Sequence, residues 1–166
     1  AQADALKEEI SQLEIDYERA QADIRKSSPH YAALTQPQPL KVKEIQRQLD
    51  ADTLLLEYAL GEERSYLWAI TRDSLKSYNL PKGERIRLSA LQVSELLTAR
   101  SASKRGESAL QRRDRIAQSD GKLPAAAKEL SQMVLAPVAA ELGDKRLVIV
   151  ADGALQYIPF AMLPEP

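Results

Sequence analysis

The chain has 166 residues, of which 44% are hydrophobic and 28% charged, enough apolar mass for a packed core and against disorder throughout. Its 23 Lys and Arg against 24 Asp and Glu leave a net charge of −1, which gives no support to a general polyanion binder. With no cysteine and a single histidine, disulfides, Cys-ligated zinc, iron–sulfur clusters and a cysteine nucleophile are excluded within these residues. Multi-histidine metal sites go with them.

No stretch approaches the roughly 18 uninterrupted apolar residues of a membrane span, so no membrane partner is expected. The sequence begins at Ala1 without Met, without a basic segment leading into an apolar run, and without an internal repeat. It reads as a mature product or an excised piece, and a cytoplasmic location is the expectation.

In chain order, residues 4–26 predict one helix. Leu6, Ile10, Leu13, Tyr17, Ala20 and Ile24 step by fours and threes along one face, and most of the remainder is charged or polar. The stripe is shorter than the three to four heptads expected of a coiled coil. It suits docking on its own domain or a preceding helical repeat, with self-association as the alternative. Pro29, Pro37 and Pro39 then mark an extended connector holding His30, where a lone histidine has no partners for a site. A short helix over 41–48 follows.

The period then changes. Thr53 to Leu60 alternates, putting Leu54, Leu56, Tyr58 and Leu60 on one face of a strand; Tyr66, Trp68 and Ile70 mark a second, and Leu75 to Leu80 a third. This is an antiparallel meander, and its aromatics are interleaved with Leu, Ala and Ile, which favours packing over a stacking platform for nucleic acid. Ile86, Ala90, Val93 and Leu97 predict a helix. The stretch from Arg100 to Arg115 loses the apolar pattern; Arg100, Lys104, Arg105, Arg112, Arg113 and Arg115 suggest a solvated, protease-accessible loop, with a phosphate-binding or cleavage segment as alternatives. A second helical region is expected from Pro124 to Leu142, with Pro124 in its first turn, a break at Pro137 and Gly143 as the stop.

Leu147 to Ala151 is an unbroken apolar run, as in a strand buried on both faces of a parallel sheet. A parallel strand needs neighbours reached through crossovers of about a dozen residues or more, and few residues follow. The expectation is an α/β sheet opened and left incomplete, the front of a larger domain. Asp152–Gly153 lies where parallel sheets place ligands, so it is the one candidate ligand loop; the simpler reading is a turn.

Two strings, EIQRQLDADTLLLEYALGEERSYLWAITRDSLKSYNLP and LSQMVLAPVAAELGDKRLVIVADGALQYIPFAML, together resemble a CHAT domain from about Tyr31 to Leu163. That is the caspase-like, separase-related cysteine peptidase domain often found behind tetratricopeptide repeats. The resemblance implies a catalytic His followed by a Cys, each at the end of a parallel strand, and both would lie beyond Pro166. His30 does not match that position, so no catalytic, cofactor-binding or metal residue is assigned. The implied organisation is a leading helix over 1–28 and the N-terminal portion of a CHAT domain over 29–166. Its implied work is to support the catalytic half of the parent chain and relay contacts from upstream helical repeats. A homodimer through the helix 4–26 or an open sheet edge, a stand-alone interaction module, and a small-molecule-binding α/β domain using the Asp152 loop are the alternatives.

Overall fold

The computed structural model describes the backbone of residues 2–28 and 39–166, and the side chains of all these except 2–5 and 25. Pro29, His30 and Pro37 lie outside the described residues. The chain divides into two units, residues 1–41 and 42–166.

In the first unit, α1 (Gln2–Ser27) is a single helix, two residues longer at its start and one at its end than the periodicity predicts. Within that unit Leu6, Ile10, Leu13 and Tyr17 are exposed, and Ile24 borders on exposure. Gln12 donates to Asp16 one turn on, and Ser27 Oγ donates to the Asp23 carbonyl near the helix end.

The second unit is α/β. Its elements are α2 (Val42–Gln48), β1 (Thr53–Ala59), β2 (Ser65–Ile70), β3 (Leu75–Leu80), α3 (Gly83–Thr98), α4 (Ala109–Val134), α5 (Ala139–Leu142) and β4 (Arg146–Val150). One-turn 3-10 segments sit at Ala136–Val138, Gly153–Tyr157 and Phe160–Met162. The sheet order is β3-β2-β1-β4. β1, β2 and β3 form the expected antiparallel meander, whereas β4 lies parallel to β1, with Leu54 opposite Leu147 and Leu56 opposite Ile149. The long connection through α3 and α4 provides the crossover that a parallel pair requires.

One face of the sheet makes the core. Leu54, Leu56 and Leu67 are 0% exposed, and they pack with Ile86, Ala90 and Val93 of α3 and with Ala127, Leu130 and Val134 of α4. The period-2 and period-3.6 patterns thus meet at one interface, the layered arrangement that a one-sided sheet needs. Tyr58 reaches across it to donate its hydroxyl to the Val134 carbonyl at 3.0 Å, and burial pushes that hydroxyl's pKa up. After β4 the tail returns over the same core: Leu155, Ile158 and Leu163 are buried, Phe160 lies 5.6 Å from the Tyr58 ring, and the buried Ser131 hydroxyl donates to the Pro164 carbonyl.

Three expectations change. Pro124 is inside α4 rather than near its start, because the helix begins at Ala109 under a capping box in which Ser108 and Gln111 satisfy each other's backbone N–H. Half of the basic stretch is therefore helical. The expected break and stop hold: α4 ends at Val134, Pro137 lies in a 3-10 turn, and Gly143 ends α5 with φ +44.

The third change concerns β4, which is not buried on both faces. Leu147, Val148 and Val150 are 37%, 39% and 44% exposed. Among the described residues β4 pairs on one side only, and the face shared by Val148, Val150, Leu55, Trp68 and Tyr66 is not covered by the core helices. Tyr66 and Trp68 stack there at 6.0 Å, so these two aromatics belong to the outer face, while Tyr58 is core.

Candidate functional site

The parallel pair β1 and β4 points its carboxyl ends at one place, and three loops converge on it. Leu60, Gly61 and Glu62 follow β1; Asp152, Gly153 and Ala154 follow β4; Gly83, Glu84 and Arg87 come from the first turns of α3. Together they line an open cleft of about 330 Å³.

The loops are tied together by backbone geometry. Asp152 Oδ2 accepts the Leu60 N–H at 2.7 Å, joining positions 92 residues apart. The strand β1 has ended at Ala59, so this N–H has no ladder partner, and a carboxylate takes the place of the next strand residue. Gly153 takes φ +52, a conformation open to glycine, and turns the chain into the 3-10 segment. On the other side Gly83 N–H donates to the Gly61 carbonyl at 2.9 Å. A Cβ on Gly83 would sit 2.8 Å from that carbonyl, and one on Gly61 would sit 2.4 Å from the Arg64 carbonyl. Both glycines are required by close backbone approach.

Glu84 and Arg87 form a bidentate pair with both contacts at 2.7 Å, one turn into α3. The hydrogen bonds from Arg87 hold the Glu84 carboxyl below its usual range, and those same bonds raise the guanidinium. Because both groups are about half exposed, the pair contributes little to stability. The cleft is thus acidic, with Glu62, Glu84 and Asp152 against Arg87. Its lining carries no histidine, serine or threonine side chain.

Of the residues singled out in the sequence, Asp152–Gly153 lies in this cleft as a turn with a specific partner. The basic stretch is dispersed. Arg115 is 17% exposed, gripped by Glu107 at 2.6 and 2.8 Å and by the Ala99 and Ala102 carbonyls; Arg100 pairs with Asp120, and Arg112 donates to the Arg100 carbonyl. These cations staple the 99–108 loop to α4 and do not converge on a shared anion site. Tyr78 and Lys76 both donate to Glu141, clasping β3 to α5. The sequence marks Gly61 only as a turn between β1 and β2, and its periodicity gives no sign of Gly83 or the Glu84–Arg87 pair as cleft residues. The signal available was a glycine at each loop entering the crevice.

With this geometry in view, a comparison with protein families finds that the model of the CHAT domain matches residues 124–166. The matched part runs from mid-α4 through β4, the Asp152 loop and the tail that closes the core. Over those residues the CHAT resemblance read from the sequence holds; the first quoted string lies outside them. No curated protein and no solved structure matches the chain. Among the described residues no helix is long and apolar enough to cross a membrane.

Proposed function

We propose that this chain is the non-catalytic leading part of a caspase-like CHAT peptidase domain, a framework on which a catalytic half of the same parent chain is completed. The observation that carries the reading is the outer edge of β4. The Arg146 N–H donates inward to the Asp52 carbonyl at 2.8 Å, so by strand alternation the Leu147 and Ile149 N–H groups point outward. An edge that is parallel, apolar and flanked by a partly exposed outer face, with Val148 and Val150 open, is a template for another strand. The CHAT match over β4 and the Asp152 loop supports a strand from the catalytic half as the one that fits. In this reading the Asp152 loop borders the peptidase cleft, while α1 receives contacts from upstream helical repeats.

Leu147→Pro tests it. The substitution removes an outward donor and leaves the inward Arg146 bond to β1 in place. The 166-residue chain carrying it should remain folded, whereas the native gene product should lose the union of its two halves and its peptidase activity. Full activity on a folded variant would refute the strand-addition reading.

A second reading, an interaction module, is favoured by the exposed stripe of α1. The two readings are compatible in one chain.

A further inference from the structure

Within its unit α1 presents Leu6, Ile10, Leu13 and Tyr17 at 55 to 67% exposure, with Ile24 on the same line. The charges beside this stripe are one-sided. Glu9, Asp16 and Asp23 recur every seven residues along one border, and Lys7, Glu14 and Gln21 recur along the other. Four of these five charged residues are acidic.

This pattern bears on what can lie against the stripe. Two copies in parallel would set Glu9 against Glu14 of the second copy and offer no attractive pair in exchange. Two antiparallel copies centred on Asp16 would set acid against acid along the whole Glu9–Asp16–Asp23 border, and Glu14 against Glu14 on the other. Asp16 has a local partner, since Arg19 lies 3.7 Å away, but both groups are more than half exposed and such a contact is weak. A partner helix with Lys or Arg at its own flanking positions meets every acidic residue with an opposite charge.

We propose that α1 docks a partner helix whose apolar stripe is bordered by basic residues, and that its acidic borders select against a second copy of this chain. The inference deepens the reading of α1 as a receiver of helical contacts and rests on it. It specifies what such a helix must carry: an apolar seam matching the Leu6–Ile24 stripe, with Lys or Arg on both sides. The specificity comes from like-charge repulsion as much as from attraction.

The test uses the full chain and two synthetic helices of equal length with the same Ile/Leu seam, one flanked by Lys and one by Glu. Binding is read by fluorescence anisotropy. The Lys-flanked helix should bind about tenfold or more tightly over the other at low salt, since three to four edge pairs change sign between the two. That advantage should shrink markedly at about 0.5 M salt, where the screening length falls to a few ångströms. The triple variant Glu9→Lys, Asp16→Lys, Asp23→Lys should reverse the preference. Equal binding of both helices would overturn charge selection while leaving the docking reading intact. Binding of neither overturns both. Sedimentation showing a dimer that Leu13→Glu dissolves would overturn the selection against a second copy.

Discussion

Removing the Asp152 carboxylate isolates the link between the two parallel-strand ends. In Asp152→Ala the Leu60 N–H loses its 2.7 Å acceptor at a part-buried position. A hydrogen bond to a charged group contributes about 1.5–3 kcal/mol, and partial water access moves the expectation to the lower half of that range. The variant should therefore lose about 2 kcal/mol, a fall of several degrees in Tm for a unit of this size. Asp152→Asn keeps an acceptor oxygen without the charge and should lose about half as much. Urea denaturation followed by circular dichroism measures both; the midpoint should move with an unchanged slope, because the surface exposed on unfolding is the same. A loss below about 0.3 kcal/mol in Asp152→Ala would refute the argument that this residue tethers the two loops.

Four further outcomes follow from the same fold. Gly61→Ala forces a backbone shift, because its Cβ would meet the Arg64 carbonyl at 2.4 Å, whereas Gly121→Ala in α4 meets nothing within 4 Å. The first should destabilise and the second should stabilise by roughly 0.5–1 kcal/mol, with thermal melts of both variants deciding it. Leu130→Ala empties a fully buried position between the sheet and α4 and should cost about 3 kcal/mol; a loss under about 1 kcal/mol would contradict the core described. Burial acts to raise Glu141, but hydrogen bonds from Lys76 and Tyr78 outweigh it and leave its carboxyl below the ordinary 4.5. A depressed carboxylate stabilises fully above its unfolded value and loses that contribution as pH falls through the folded one. The stability gap between wild type and Glu141→Gln should therefore be open at neutral pH and narrow as pH falls below the ordinary 4.5; a gap independent of pH would count against the clasp. Limited trypsin should cut first at Lys104 or Arg105 in the exposed loop and late at Arg115, which Glu107 and two carbonyls hold, and early cleavage at Arg115 would contradict that staple.

What the sequence made legible were features governed by short-range period. Alternation marked Leu54, Leu56 and Tyr58 as one face of β1, and the 4-3-4 spacing marked Ile86, Ala90 and Val93 as the inner face of α3; all six are buried. The features that escaped were set by contacts far apart in the chain or by weak local signals. The first half of α4 carries little apolar pattern, with Leu110 at 67% exposure, so its start depends on the Ser108–Gln111 capping box, and Pro124 read as a beginning when it is an interior residue. An unbroken apolar run in β4 implied cover on both sides, yet composition reports what a strand tolerates and not which neighbours are present. The Asp152 loop was found by its position after a strand, but its partner at Leu60 lies across 92 residues and no local rule points to it.

The central claim is that the outer edge of β4 receives another strand in the native protein. Hydrogen exchange of the Leu147 and Ile149 amides tests it most directly, compared between the 166-residue chain and the product of the native gene. The account predicts that both amides exchange readily in the 166-residue chain and are slowed about a hundredfold or more in the native product, as in a paired strand. Equal exchange in the two would contradict it.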